Sequence, residues 1–364
     1  MTLRHPNPTP RFAARLGDFL AGEAQKLVMI DIGSRNGFDP IWRPLAPAAR
    51  FIGFEADPAE AQRQNEANAA QGLPVRHYPH ALGDRDGPRD FHVAKFAQCS
   101  SFYDRNPDWV GRFPITEQDS TRVVTLDTLT LDSFAAREGI PRIDFVKIDV
   151  EGAELDILEG ARHCLADGGM LGIKTEFWWD PPVKRDYRGS FAAIDSLIRS
   201  HGFRFFDMKL HYYPRSTIPS GRLTGRFDNP EAKARLKFRH VEYGQAWTGD
   251  ALYFRDPVGE RIAGGAGPDV WPADRLLRLC ALLDIHDYGD AAIEILEHFA
   301  DRLPGDLDAL YDLLTPTLDG EILPYDAYLE ISAAHRQAYR KTWLEMTDWA
   351  PGPTRYRRKQ APGR

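Results

Sequence analysis

The sequence predicts an α/β fold, a parallel sheet with helices on its faces, from two strand endings and one alternation. Asp144-Phe145-Val146-Lys147-Ile148-Asp149-Val150-Glu151-Gly152-Ala153-Glu154 reads as a buried strand that ends in a carboxylate and runs into a helix. Upstream, Val28-Met29-Ile30-Asp31-Ile32-Gly33-Ser34-Arg35-Asn36-Gly37 ends in the same manner. An open α/β sheet builds its ligand crevice from functional groups at such carboxyl ends. Between and around these stretches strands alternate with helices, which makes the sheet parallel.

Taken in order, residues 1–26 form an entry segment whose helix spans 11–26, and Leu27–Ile32 is the first strand. Pro40–Leu45 begins a short helix, Phe51–Glu55 is the second strand, Pro58–Gln71 a helix rich in Ala, Glu and Gln, and Val75–Tyr78 the third strand. From Gly83 to Thr125 the pattern loosens, with strand-like pieces at Arg89–Ala94 and Arg122–Thr125. A long irregular stretch inside a domain is usually functional, so 83–125 reads as an insertion beside the site, part loop and part hairpin. Leu126–Glu138 resumes as a helix, followed by strand Phe145–Asp149, helix Ala153–Leu165 and strand Met170–Phe177. Ser190–His201 is a helix, Phe203–Met208 a strand, and Ala251–Phe254 the last strand of a core that spans 27–260. Beyond Gly264-Gly265-Ala266-Gly267-Pro268 apolar residues take helical spacing over Asp274–Arg302 and again over Pro324–Met346. That makes 268–350 a helical appendage and 351–364 a basic tail, with Arg355-Tyr356-Arg357-Arg358-Lys359 as its charged cluster.

Composition removes several classes. The 46 basic and 53 acidic side chains give a formal charge of −7, which argues against a nucleic-acid partner. Cys99, Cys164 and Cys280 are far apart and form no CxxC, so neither a disulfide framework nor a zinc site is expected. No apolar run reaches the length of a membrane span, and the expected compartment is the cytoplasm.

The first loop narrows the ligand. Gly33 and Gly37 flank Ser34-Arg35-Asn36 directly after a strand, where glycine lets a ligand approach the backbone. The loop lacks the third glycine of G-x-G-x-x-G and the Walker A lysine, so dinucleotide and nucleoside-triphosphate readings lose ground. Glu55 lies about 22 residues beyond Gly33, near the spacing of an acidic ribose clamp, with a solvated strand-end carboxylate as the bland reading. Asp31 sits in an otherwise apolar strand, where an unpaired carboxylate costs several kcal/mol. A cationic ligand would offset that cost; so would loop amides, which would make Asp31 a structural clamp instead.

Five blocks then occur in order: Asp31-Ile32-Gly33-Ser34-Arg35-Asn36-Gly37, Gly53-Phe54-Glu55-Ala56-Asp57-Pro58, Ala81-Leu82-Gly83-Asp84, Thr125-Leu126-Asp127 and Asp144–Glu159. Together they resemble the FkbM-type family of S-adenosylmethionine-dependent methyltransferases, over residues 27–177 and on to Ala251-Leu252-Tyr253-Phe254-Arg255. The resemblance implies a Rossmann-like class I methyltransferase sheet of seven mostly parallel strands, one late strand antiparallel, with helices on both faces. It also implies that Gly33 and its loop (Ser34, Asn36, Gly37) hold the methionine part of S-adenosylmethionine. Glu55 would bind the ribose, His80-Ala81-Leu82 would border the adenine, and Asp149 would face the sulfonium and the acceptor. The family's small residue followed by Asn appears here as Ser34-Arg35-Asn36, which leaves the contacts of Arg35 open.

The residues agree with this on their own chemistry. The sulfonium and ammonium of S-adenosylmethionine suit a crevice bearing Asp31, Glu55 and Asp149, whereas a phosphate-bearing cofactor would want bare helix N-termini. A hydroxyl acceptor must lose a proton, and the candidate bases are Asp149, His80 and Glu176. A divalent ion on Asp149, Glu151 and Glu176 would acidify the hydroxyl instead. The bland reading of Glu151 and Glu154 is that they favour the N-terminus of the next helix. Trp178 and Trp179 offer flat faces for a sugar or pack in the core, and Ser100 and Tyr212 are candidates for the acceptor wall. The expected activity is O-methylation of a saccharide or related hydroxyl acceptor, small molecule or glycan. A catalytically silent nucleoside-binding or scaffold protein is the alternative, and a nicotinamide-dependent oxidoreductase a third. Any homo-oligomer is expected to form through the C-terminal helices.

Overall fold

The structure, a computed structural model, describes residues 7–334 apart from 21, 23, 24, 36, 114–119, 167, 168, 181, 182, 184–186, 214, 218–243, 266, 268 and 319. Apolar and β-branched runs become strands: β1 (Leu27–Ile32), β2 (Ala49–Phe54), β3 (Val75–Tyr78), β4 (Ala81–Leu82) and β5 (Gly87–Ala94). They continue as β6 (Ser120–Leu129), β7 (Phe145–Ile148), β8 (Gly172–Trp178), β9 (Phe203–Tyr213) and β10 (Gln245–Arg255). Seven of them make one sheet in the order β3-β2-β1-β7-β8-β10-β9. β1 is parallel to both β2 and β7, β3 to β2 and β8 to β7, while β10 runs antiparallel to its two neighbours. This is the Rossmann-like sheet that the resemblance implies. The chain works outward from β1 to β3 and returns to β7 on the other side of β1. Strand order therefore reverses between β1 and β7, and a crevice opens at their carboxyl ends.

The helices are α1 (Arg11–Ala14), α2 (Leu16–Phe19), α3 (Pro58–Ala70), α4 (Pro107–Val110), α5 (Leu131–Arg137), α6 (Glu154–Glu159), α7 (Arg162–Ala166) and α8 (Phe191–Ser200). They continue as α9 (Pro257–Ile262), α10 (Ala273–Ile285), α11 (Gly289–His298) and α12 (Leu307–Leu314). On one face of the sheet Ile30, Ile52, Val146 and Ile173 pack with Phe134 of α5, Ile157 of α6 and Ile198 of α8. Each such buried side chain contributes about 1.5–3 kcal/mol. On the other face Phe145 meets Trp42, from the 3-10 turns at Pro40–Ala48, at 5.8 Å, and His286, after α10, at 5.5 Å. Asp144 fixes α10 at the foot of β7. Its Oδ1 lies 3.0 Å from Arg278 Nε, and its Oδ2 accepts the Val28 N–H at 2.8 Å.

Three local expectations are revised. The helix expected from Leu126 begins only at Leu131, because the β-branched run Thr121, Val123, Val124, Thr125 and Thr128 favours the extended β6. Thr130 then caps α5 by accepting the Ser133 N–H at 3.0 Å. The helix expected over 153–165 is broken into α6 and α7 at Gly160, where a Cβ would stand 2.1 Å from the Gly83 carbonyl oxygen. The entry helix is likewise two short turns, α1 and α2. The insertion is a second sheet in which β6 pairs parallel with β4 and antiparallel with β5.

Residues Met1–Gly305 form one unit and Asp306–Arg364 another. The helical region expected over 268–350 is thus divided, with α10 and α11 in the first unit. In the second, α12 is followed by a helix over 325–334, and the Tyr325 N–H donates to Asp312 Oδ1 at 2.7 Å. The rest of the helix expected to Met346, and the 351–364 tail, lie outside the described residues. The three cysteines are free and buried, and no described helix is long and apolar enough to cross a membrane.

Candidate functional site

A cleft of about 370 Å³ lies over the carboxyl ends of β1, β2, β3 and β7, as the reversal of strand order requires. Gly33 and Arg35 come from the loop after β1, Glu55 and Asp57 from that after β2, His80, Ala81 and Leu82 from beyond β3, and Asp149 and Glu151 from beyond β7. The second sheet closes the cleft with the apolar side chains Phe91, Val93, Val124 and Leu126, and Phe102 and Ser100 stand beside them. This cover is fastened to the N-terminus of α6. Arg89 Nη2 lies 2.7 Å from Asp156 Oδ2, and the Tyr103 hydroxyl donates to the same oxygen at 2.8 Å.

Glycine is obligatory at position 33. Its φ is +85°, and a Cβ would fall 1.9 Å from the backbone oxygen of Asp149. The loop after β1 and the mouth of β7 therefore touch backbone to backbone. The Gly33 and Ser34 N–H groups both donate to the Phe54 carbonyl, at 3.1 and 3.0 Å, which binds the loop to β2. Gly37 ends the loop at φ +88° beside Gln64. Ser34 as a side-chain contact for a cofactor is corrected, because its hydroxyl is buried, donates to Phe54 O at 3.1 Å and lies 2.8 Å from His77 Nδ1. Asn36 lies outside the described residues.

The carboxylates differ in their partners more than in their exposure: Asp149 is partly exposed, while Glu55, Asp31, Glu151, Glu154 and Glu176 are all buried. Glu55 Oε1 accepts the Asp57 N–H at 2.9 Å and lies 3.4 Å from Arg35 Nη1. Burial pushes the Glu55 carboxyl above its ordinary value, while the Asp57 amide and Arg35 act against it. Asp31 does not reach the cleft. It is buried and accepts from Lys147 Nζ at 2.9 Å, so a cation of the protein itself offsets its burial. Lys147 stands opposite Asp31 in the β1–β7 register and also lies 3.7 Å from Asp149 Oδ2. Burial alone would lower the Lys147 ammonium, but the charges of Asp31 and Asp149 outweigh it and hold it above its ordinary value. Asp149 itself is 38% exposed and faces the cleft.

Next to Asp149 the acids are enclosed. Glu151 adopts φ +62°, and its Oε2 accepts from Arg105 Nη2 at 2.9 Å, both side chains being buried. Glu154 Oε1 accepts the Val150 and Gly152 N–H groups at 3.0 and 3.1 Å, and burial still pushes its carboxyl up to about 7. Burial first, and then the charges of Asp149 and Glu151, hold Glu176 well above the ordinary carboxylate range. That favours its neutral form, which is a proton donor, and Glu176 is not on the cleft wall. No group of three metal-ligating side chains occurs among the described residues, and Glu151 is committed to Arg105, which corrects the expectation of a metal on Asp149, Glu151 and Glu176.

Of the aromatic candidates, Trp178 is buried beneath Gly152, where a Cβ would meet its ring at 2.7 Å, and the Arg105 guanidinium lies 4.9 Å from its ring centre. It supports the turn after β7 and does not line the cleft. Trp179 is 39% exposed and packs against Phe191 at 4.8 Å. Ser100 lines the cleft, where its Oγ accepts the Ala94 N–H at 3.1 Å. Tyr212 is corrected: it pairs with Ala246 on the edge strand β9, away from the cleft. Sequence reasoning missed Lys147 and Arg105. A lone charge of opposite sign in each of two apolar strands, Asp31 in β1 and Lys147 in β7, was the signal for the first, and the irregular chain around Arg105 carried none for the second.

A family model for the methyltransferase FkbM domain matches residues 31–205, the stretch that contributes the glycine loop, Glu55, the second sheet and Asp149. This chain carries an FkbM methyltransferase domain. That family is one of S-adenosylmethionine-dependent methyltransferases. The chain is 30% identical over 145 residues to the 2-O-methyltransferase NoeI of Sinorhizobium fredii, covering 38% of this chain and 58% of NoeI. It is 26% identical over 209 residues to the AMB antimetabolite synthetase AmbE of Pseudomonas aeruginosa, covering 48% of this chain and 9% of that protein. The chain thus spans little more than half of one curated relative and a small part of the other. Among solved structures, the magnesium protoporphyrin IX methyltransferase of Synechocystis PCC 6803 with bound SAM matches 67% of this chain and 76% of its own, at 14% identity and a TM-score of 0.30.

Proposed function

We propose that this protein methylates a hydroxyl oxygen with S-adenosylmethionine as donor, and that the hydroxyl belongs to a saccharide. One observation carries the reading: the backbone contact of Gly33 with Asp149 and the carboxylate of Glu55 bound the same cleft of about 370 Å³. In that cleft Gly33 would admit the methionine part, Glu55 would accept from the ribose hydroxyls, and Ala81, Leu82 and Phe91 would enclose the adenine. When bound, the cofactor supplies a methyl group on a positively charged sulfur. The protein's own contribution is alignment, which is worth about 7 kcal/mol or more when two reactants are held in line.

Asp149 is the base this reading favours. It lies 3.7 Å from Lys147 Nζ, partly exposed and at the mouth of β7, where a carboxylate can accept the hydroxyl proton as the oxygen acquires the methyl. His80, also on the cleft wall, is the second candidate. Oxygen as the acceptor atom is supported by the likeness to a 2-O-methyltransferase. The saccharide is the finer part of the proposal: Trp179, exposed beyond β8 but not among the residues that line the cleft, offers a flat apolar face of the sort that receives sugar rings.

A thermal-shift series with S-adenosylmethionine, S-adenosylhomocysteine and NAD tests the cofactor, since a ligand of the native state raises the midpoint by mass action. The first two should stabilise, and stabilisation by NAD alone would defeat the reading. Mass spectrometry of a glycan panel then tests the acceptor. Transfer to amines or carbon acceptors and to no glycan would remove the saccharide assignment.

A further inference from the structure

We propose that Arg35 is a positioning residue for the cofactor: its guanidinium keeps the Glu55 carboxylate charged and turned toward the ligand. The inference rests on the S-adenosylmethionine reading and assigns work to a side chain whose contacts the sequence left open. Ser34 turns its hydroxyl into the sheet, toward Phe54 O and His77. The next side chain, Arg35, leaves over the end of β2. Its carbonyl is held from α3 by Gln64 Nε2 at 2.6 Å, so the base of the arm is fixed. Its guanidinium reaches Glu55 Oε1 and Asp57 Oδ2, each at 3.4 Å, and lines the same cleft.

Glu55 Oε1 thus meets two protein donors, the Asp57 amide and Arg35, and no hydrogen bond to Oε2 occurs among the described residues. Two donors on one oxygen select the rotamer and leave the other for a diol. An ionised carboxylate offers acceptors to both ribose hydroxyls, whereas a protonated one presents a donor to one of them. Burial works against the ionised form, and the neighbouring carboxylates of Asp57 and Glu60 work in the same direction. Arg35 opposes all three. His80 and Arg122 also line the cleft.

Calorimetric titration of the purified chain with S-adenosylhomocysteine at about pH 5.5 and about pH 8 tests this, using wild type, Arg35→Met, Glu55→Gln and the double variant. Arg35→Met should weaken binding roughly fivefold at the lower pH and less than about twofold at the higher, where Glu55 regains its charge unaided. In the Glu55→Gln background the same change should have no further effect, and its binding should be flat with pH. An equal loss at both pH values, or a loss that persists without Glu55, would show that Arg35 touches the ligand or merely stiffens the loop, and either result overturns the proposal. Failure of wild type to bind at all is a separate outcome, which removes the cofactor reading beneath it.

Discussion

At the β1–β2 end, Glu55 is buried on the cleft wall and is held by one amide and one long contact to Arg35. At the β7–β8 end, Glu151 has a buried arginine, Glu154 has two backbone amides, and Glu176 has a buried oxygen with no hydrogen-bond partner among the described residues. Carboxylates at both ends crown the same sheet, yet only the first set is left loose enough to exchange a protein partner for a ligand. The second set is part of the scaffold, with Asp149 standing at the boundary between them. The difference teaches that an acidic strand end is ligand-facing when its partners are weak and cleft-lining, and structural when they are buried.

The largest effect should come from closing the contact between the two ends. Gly33→Val places side-chain atoms where a Cβ already falls 1.9 Å from Asp149 O, at a φ that valine avoids. Calorimetry should show S-adenosylhomocysteine affinity lost by more than about a hundredfold, with circular dichroism reporting whether the sheet survives. Retained affinity would mean that the loop and the mouth of β7 are not joined in this way.

Lys147→Met tests whether the Asp31 pair belongs to the scaffold. Removing one partner of a buried pair costs about 3–5 kcal/mol, because a charge is left without compensation. Urea unfolding should show that loss, and Asp31→Leu combined with Lys147→Met should recover most of it. A single variant as stable as wild type would move Asp31 back among the ligand-facing acids.

Asp149→Asn belongs to the boundary. Turnover should fall by roughly a hundredfold or more, the usual contribution of a general base, while S-adenosylhomocysteine binding changes little. A loss confined to cofactor affinity would assign Asp149 to binding and turn attention to His80.

How much of this was legible in the sequence follows from the distance between interacting groups. Gly33, Glu55 and Asp149 could be read because each sits at the end of its own apolar strand, where position along the chain already implies position in the sheet. Lys147 could not, since its role depends on the register that sets it opposite Asp31, 116 residues away. Arg105 reaches Glu151 across 46 residues from a stretch without periodicity. The second sheet was half visible: β5 alternates, but Leu126 and Leu129 at the end of β6 carry spacing that also suits a helix. Tyr212 was misjudged because β9 runs on to Tyr213, five residues past the Met208 expected as its end, and so carries that ring along the edge of the sheet.

The enclosed acids predict a pH dependence with a definite sign. The Glu154 carboxyl, at about 7 in the fold, stands above its ordinary 4.5, so its stabilisation is complete below that value and is lost as pH rises through about 7. Burial pushes Glu176 in the same direction. Across that window wild type should lose about 3 kcal/mol more stability than Glu154→Gln, whose amide oxygen can still accept from Val150 and Gly152. Urea midpoints at about pH 5 and about pH 8 measure it. Parallel slopes for the two proteins would show that Glu154 is already charged and solvated.

Glu55→Ala should have the smallest effect and bears most directly on the open end of the comparison. Losing a charge-assisted acceptor for the ribose should weaken S-adenosylhomocysteine about tenfold, since such bonds are worth about 1.5–3 kcal/mol and water can partly replace them in an open cleft. Stability should hold or rise slightly, because the burial that pushes the Glu55 carboxyl up is a cost the alanine no longer carries. That combination, weaker binding in a chain no less stable, distinguishes a ligand-facing acid from an enclosed one. If Glu55→Ala instead lowers the urea midpoint as Lys147→Met does, Glu55 belongs with the scaffold and the ribose must find its acceptor elsewhere.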